Sequence, residues 1–378
     1  MRVPLATVLR EWGRLGLIGF GGPPAHVLLL RELVVDRREW IDAREFDDAY
    51  AACQLLPGPA STQLAIYCAQ RVAGVPGALA GGLGFILPGL LMTLALAALL
   101  LGDAPPEWIL GIGAGAAAAV VAVVAQAGIL LVRASLEARR SGPLVRAITY
   151  VVIGAAATVL AGAGLVLALL ACGLVELAWR RRPGVAVHAW PVALLLVVTG
   201  TAALPALAWT ALKVGALSYG GGFVIIPLMQ GDAVDTYGWM TEAEFANAVA
   251  YGQLTPGPVV QTVAIVGWAA AGLGGALLAS FVAFAPSFLI VLLTGERFDR
   301  LRGSGAARAF LDGAGPAAVG AILGAVVTLA RPLEEPWQFA VLVAAAVVLL
   351  LGRAALWALA GAALAGLAAA LAGLSLPA

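Results

Sequence analysis

The residues of this chain with the most distinctive chemistry are glycines and prolines set inside apolar sequence. Pro57-Gly58-Pro59 and Pro256-Gly257-Pro258 each interrupt a stretch that otherwise reads as helix, and each is followed by polar side chains: Ser61, Thr62 and Gln63 in the first case, Gln261 and Thr262 in the second. Gln54 and Gln253 stand three residues before each run, and Thr255 directly precedes Pro256. A helix broken at such a run exposes unpaired backbone N–H groups at the start of its second half. The helix dipole adds partial positive charge at the same place, so the chemistry on offer is anion binding. Proline suits a first helical turn, having no N–H to lose, and Pro24, Pro59 and Pro258 are placed for that role. Two further breaks are expected at Gly21-Gly22-Pro23-Pro24 and at Gly220-Gly221-Gly222.

Two cations are candidates to join these donors. Lys213 is the only charged residue between about 183 and 231, and Arg14 falls opposite it when the sequence is slid on itself. Both could pair with an oxyanion, or both could snorkel to an interface. The acidic residues Asp42, Glu45, Asp47, Asp48, Glu242 and Glu244 read as a solvated face or as proton carriers. His26 and His188 lack matching partners, which argues against a metal site or a proton relay. Zinc-protease, serine-hydrolase and nucleotide-loop signatures are missing, so no catalytic residue, cofactor or enzyme activity is expected. Gly111-x-Gly113-x-Gly115 reads as helix packing, and Cys53, Cys68 and Cys172 as small apolar packing residues. Trp12, Trp40, Trp108, Trp179, Trp190 and Trp239 read as interfacial anchors.

What must position these groups is a membrane. The 378 residues are 62% hydrophobic and 11% charged, outside the usual soluble range. The net charge of +1 offers no field for nucleic acid. Apolar runs at 77–101, 108–132 and 272–294 match a hydrocarbon core of about 30 Å.

An offset of 199 positions aligns the chain with itself without gaps over a long stretch. Gly16 falls on Gly215, Gly21 and Gly22 on Gly220 and Gly221, Asp36 on Asp235, Trp40 on Trp239, Gln54 on Gln253, and Pro57-Gly58-Pro59 on Pro256-Gly257-Pro258. After one-residue slips, Phe85 and Pro88 match Phe284 and Pro286. Residues 1–188 and 189–378 are thus read as two repeats. Arginine placement inverts them, since short cytoplasmic loops collect basic residues. Arg31, Arg37, Arg38 and Arg44 lie in 31–44, whereas 230–243 has no basic residue; Arg297, Arg300, Arg302 and Arg308 lie in 296–308, whereas 102–107 has none.

Crossing parity then turns 45–73 and 244–271 into re-entrant hairpins, with 5–35 and 206–230 as two further broken pairs. The fold class expected is an all-α polytopic membrane protein with inverted-topology repeats, about nine full spans and four half-span hairpins. The full spans are 77–101, 108–132, 144–162, 163–179, 189–205, 272–294, 309–330, 337–352 and 354–375. Inverted repeats with broken helices place a binding site at the repeat interface.

Phe20-Gly21-Gly22-Pro23 with Gln54-Leu55-Leu56-Pro57-Gly58-Pro59, and Tyr219-Gly220-Gly221-Gly222 with Gln253-Leu254-Thr255-Pro256-Gly257-Pro258, resemble the chromate ion transporter family in its two-domain long form. The resemblance implies export of chromate, a tetrahedral dianion similar to sulfate, across a bacterial or archaeal cytoplasmic (inner) membrane, with proton or potential coupling. It implies chromate or a similar oxyanion and the lipid bilayer as partners, and it leaves a homodimer open. An alternating-access secondary mechanism is the leading expectation and a passive anion channel the alternative.

Overall fold

A computed structural model describes residues 3–54, 56–137, 144–180, 203–218, 222–294 and 305–377. Gly220, Gly221, Tyr219, Leu55, His188, most of the expected 189–205 span, the 188/189 repeat boundary and much of the basic loop 296–308 lie outside the described residues. Among the described residues all regular structure is helical.

The helices are α1 Leu5–Ile18, α2 Gly22–Arg31, α3 Ala43–Cys53, α4 Ala60–Leu100, α5 Glu107–Glu137, α6 Leu144–Ala161, α7 Leu165–Arg180, α8 Ala203–Ala216, α9 Ile225–Gln230, α10 Glu242–Leu254, α11 Thr262–Thr294, α12 Gly305–Ala330, α13 Pro336–Leu350 and α14 Ala355–Leu371. Wide π-type turns extend α2 over Glu32–Arg37 and α9 over Gly231–Thr236. The expected spans from 77 to 179 and from 272 to 375 correspond to helices with ends shifted by a few residues. One boundary differs: α8 already begins at Ala203, inside the expected 189–205 span.

α4 is not one rod. Gly74 has φ 70° and lies outside helical geometry. A β-carbon at Gly77 would lie 2.4 Å from the carbonyl oxygen of Ala69, and one at Gly82 would lie 3.0 Å from Ile66 Cγ1. In a straight helix Ile66 and Gly82 would be about 24 Å apart. The chain therefore turns back at Gly74, giving a short arm, 60–73, and a long arm, 75–100. α11 does the same at Ala271 and Gly272, where a β-carbon at Gly267 would meet the Gly275 carbonyl oxygen at 2.5 Å. Glycine is needed at both bends because φ is positive and a β-carbon would strain the turn.

Among the described residues, four stretches are long and apolar enough to cross a membrane: Ala60–Leu100, Glu107–Arg133, Val259–Leu293 and Ala309–Ala330. The surface points the same way. On the long arm of α4, Leu79, Leu83, Leu87 and Leu91 are all at least 41% exposed, while the opposite face buries Ala78 and Phe85. A helix apolar on both its packed and its open face suits a lipid surround. Together with the number of apolar helices, this makes the chain a multi-pass membrane protein.

The two halves pack across each other. α1 lies on α4 and α8 on α11, each within its own half, but α5 packs against α13 and α14 while α12 packs against α6 and α7. Small residues permit the approach: Gly111 and Gly115 of α5 meet the backbone of α14 at Gly366 and Ala362, and Gly154 of α6 meets Ala317 of α12. Gly113 packs on Asn247 and Tyr251, so the glycine triplet is a packing surface as its spacing predicts. The three cysteines are buried and unbridged. Trp12 departs from expectation. It is fully buried, its Nε1–H donates to the Ala65 carbonyl at 2.8 Å, and its ring stacks on Trp40, so it joins α1 to α4 in the core.

Candidate functional site

Three of the expected breaks, and the described member of the fourth, fall at helix interruptions. α1 ends at Ile18 and α2 starts at Gly22, with φ of 98° at Gly21 and 73° at Gly22. Gly58 and Gly257 have φ of 120° and 97°, and Gly222, the described member of the fourth break, has 85°. Pro24 lies in the first turn of α2, as expected. Pro59 and Pro258 stand one residue earlier than expected, at the caps of Ala60–Leu100 and of the short 3-10 turn Val259–Gln261. The reason is the extended ψ at both prolines, which delays helical geometry by one residue.

Behind Pro59 the first return bond is Gln63 N–H to the Pro59 carbonyl, at 3.0 Å. The N–H groups of Ala60, Ser61 and Thr62 are thus the free first turn of a helix. Behind Pro258 the return begins with Gln261 N–H to the Pro258 carbonyl, at 2.9 Å.

Each Pro-Gly-Pro turn is completed by the other half of the chain. A β-carbon at Gly58 would lie 3.2 Å from Ser287 Oγ on α11 and 3.4 Å from the Gly215 carbonyl oxygen on α8. Reciprocally, one at Gly89 on α4 would lie 2.2 Å from the Pro256 carbonyl oxygen and 2.3 Å from Gln261 Oε1. Gln261 Nε2 donates to the Ile86 carbonyl at 2.6 Å, and Gly257 N–H donates to the Gly19 carbonyl at 2.9 Å. Gly22 and Gly222 both approach Val259, with 3.9 Å and 3.7 Å from their β-carbon positions. Three of the breaks and the described edge of the fourth therefore meet.

Around this meeting point lie buried polar atoms without a hydrogen-bond partner among the described residues: Thr62 Oγ1, Ser218 Oγ, Ser287 Oγ, Gln253 Nε2, Gln63 Oε1 and Gln261 Oε1. An unpaired buried polar group is costly, so a concentration of them marks a place built for something polar. Three hydroxyls and an amide can donate to an oxyanion; the two Oε1 atoms can accept from water or from a protonated anion oxygen. Gln63 and Gln261 keep their other ends anchored, since Gln63 Nε2 donates to the Pro57 carbonyl at 2.7 Å. Ser61, Thr255 and Thr262 are also buried at these turns, the last two with hydroxyls donating to the carbonyls of Gly252 and Val259. Gln54 differs from its counterpart Gln253 in being exposed.

The two candidate cations have different surroundings. Lys213 is buried, its Nζ 2.5 Å from Asp232 Oδ2, to which Thr210 Oγ1 also donates at 2.6 Å. Its charge is balanced inside the protein. Arg14 is exposed and lines a shallow recess with Glu11, Leu29, Glu32 and Arg37. Among the described residues, neither side chain has a hydrogen bond or ion pair to the breaks.

The acidic residues have structural tasks. Asp42 caps α3 through the N–H groups of Arg44 and Glu45, and Thr241 with Glu244 forms the equivalent cap on α10. Glu45 pairs with Arg71, Asp47 with Arg31, and Glu242 with Arg331.

His26 is the site residue that sequence reasoning set aside. It is 1% exposed, with Nε2 at 2.9 Å from the Gly19 carbonyl and Nδ1 at 3.3 Å from Ser61 Oγ, so it links the first break to the turn behind Pro59. Its lack of a repeat partner argued against it; its position two residues after Pro24 was the available signal. Ser287 was missed as well, because it comes to Gly58 from the other half.

Residues 6–177 and 205–367 match the model of the family described as chromate transporter. The chain is 34% identical to the chromate transport protein of Cupriavidus metallidurans over 328 residues, covering 84% of this chain and 80% of that one. It is 32% identical over 340 residues to the chromate transport protein of Pseudomonas aeruginosa, covering 85% and 80%. It is 30% identical over 335 residues to the probable chromate transport protein of Synechococcus elongatus, covering 84% and 82%. No solved structure matches the chain.

Proposed function

The chain belongs to the chromate transporter family, and from that premise we propose that it exports chromate across the cytoplasmic membrane, binding the oxyanion where the helix breaks of the two halves meet. The observation that carries this reading is the reciprocal completion of the Pro-Gly-Pro turns, Ser287 reaching Gly58 and Gly89 reaching Pro256, among buried donors without partners. Free N–H groups and hydroxyls suit a tetrahedral dianion because they supply directed donors with no mobile counter-charge to remove. The same donors would accept sulfate, which has the same shape and charge.

A site shared between two halves of opposite orientation supports alternating access. Rocking one half against the other would open the turns to one side and then the other. Residues 1–188 and 189–378 are the two halves in this reading, with α4 and α11 supplying the re-entrant arms. Lys213 acts through Asp232 as a buried strut, and Arg14 stays at the surface.

The test is chromate uptake into inside-out membrane vesicles. Uptake should saturate with chromate and collapse on Gly58→Leu or Gly257→Leu at equal protein levels. Undiminished uptake by both variants would remove the site from these turns, and uptake that never saturates would favour a passive channel.

A further inference from the structure

We propose that His26 is a positioning residue that links a proton to the oxyanion by setting which way the Ser61 hydroxyl points; the proposal rests on the oxyanion reading of the site. The Gly19 carbonyl can only accept, so the ring proton of a neutral His26 lies on Nε2, which donates to it at 2.9 Å. Nδ1 is then an acceptor, and Ser61 Oγ at 3.3 Å is the donor that satisfies it. In that state the Ser61 hydroxyl proton faces the imidazole and is withheld from the turn behind Pro59.

A proton delivered from hydronium to Nδ1, with water released, reverses this bond. Nδ1–H donates to Ser61 Oγ, and the Ser61 proton rotates away to a new acceptor. No bond other than N–H is made. The oxyanion gains a donor at a turn where the N–H groups of Ala60, Ser61 and Thr62 are already free. Charging an imidazole away from water is costly unless an opposite charge accompanies it, and the arriving oxyanion is that charge. Linkage is reciprocal: the anion favours the proton as much as the proton favours the anion.

The surroundings isolate the effect. His26 is faced by the Gly19 carbonyl at the end of α1, by Ser61 on the short arm of α4 and by the ring of Phe85 on its long arm, edge-on at 5.1 Å. The charged groups on these elements are otherwise engaged or exposed: Glu11 pairs with Arg37 and Arg38, Arg31 with Asp47, Arg71 with Glu45, and Arg14 is exposed. The Gly19 carbonyl that holds Nε2 also accepts Gly257 N–H, so the imidazole sits on the bond that joins the halves.

The experiment measures chromate binding by the purified full-length protein between pH 5.5 and 8 for wild type, His26→Gln and Ser61→Ala. Glutamine can donate to Gly19 and accept from Ser61 but cannot titrate. Chromate itself protonates in this range, and the ratio of variant to wild-type Kd cancels that contribution. The expected result is a ratio that grows about fivefold or more for both variants as the pH falls. Parallel pH dependence in wild type and His26→Gln would overturn the inference while leaving the site intact. If His26→Gln fails to fold, Ser61→Ala decides by the same criterion. Absence of chromate binding by wild type at every pH would overturn the oxyanion site itself.

Discussion

Gly257 N–H donates to the Gly19 carbonyl at 2.9 Å, so a Pro-Gly-Pro turn in one half is hydrogen-bonded to the first helix break of the other. That bond is possible because both segments have left helical geometry: Gly19 follows the end of α1, and Gly257 takes φ 97°. The breaks are therefore a shared structure with donors and acceptors assigned between halves. Its consequences can be tested residue by residue.

Gly89 leaves no room for a side chain, since a β-carbon there would lie 2.2 Å from the Pro256 carbonyl oxygen. Gly89→Val should abolish chromate uptake and destabilise the protein by about 3 kcal/mol or more, because fixed backbone must move. Gly274→Ala is the control: nothing lies within 4 Å of its β-carbon, and uptake and thermal midpoint should stay at wild-type values. Thermal unfolding in detergent with vesicle uptake checks both. A tolerated Gly89→Val would contradict the packing of α4 on the second turn.

The central glycines should separate strain from crowding. Gly257 has space for a methyl, the nearest atom being 3.4 Å away, but its φ of 97° penalises any β-carbon by about 1–3 kcal/mol. Gly58→Ala meets both penalties, at φ 120° and with Gln63 Nε2 at 2.6 Å. Gly58→Ala should therefore lower the thermal midpoint more than Gly257→Ala. The reverse order would mean that the Gln63 side chain yields freely.

Lys213→Ala leaves Asp232 charged and buried without its cation, at a cost of about 3–5 kcal/mol. The double variant Lys213→Met with Asp232→Leu should recover most of that stability and keep chromate binding, as expected of a strut. Recovery of stability without chromate binding would make Lys213 a ligand.

The proposed inversion of the halves predicts opposite accessibility of equivalent positions. Asp36 and Asp235 are both exposed and match at the 199-residue offset. Cysteines at these two positions, in a background lacking the native three, should react from opposite sides of sealed vesicles. Labelling from the same side would refute the inversion.

The helix breaks were legible because glycine and proline act locally. A Pro-Gly-Pro run removes N–H groups and favours positive φ whatever surrounds it, and the repeat offset located each break twice. Gly74 and Gly272 were harder, since a bend within an apolar run leaves no change of composition; only crossing parity pointed to a reversal there. Contacts between the halves were not legible. Nothing local in Ser287 or Gly89 says which turn it will meet. Lys213 read as a free cation because Asp232 is 19 positions away with no first-half counterpart: the same offset places Leu33 opposite it. Trp12 read as an interfacial anchor for a similar reason, its acceptor at Ala65 being 53 positions distant.

The most direct measurement is a density map of the full-length protein with bound chromate, using chromium scattering to locate the anion. The account predicts chromium between the turns at 57–63 and 256–262, with the Thr62 and Ser287 hydroxyls among its contacts. A well-ordered chromate elsewhere, with those turns unoccupied, would contradict it.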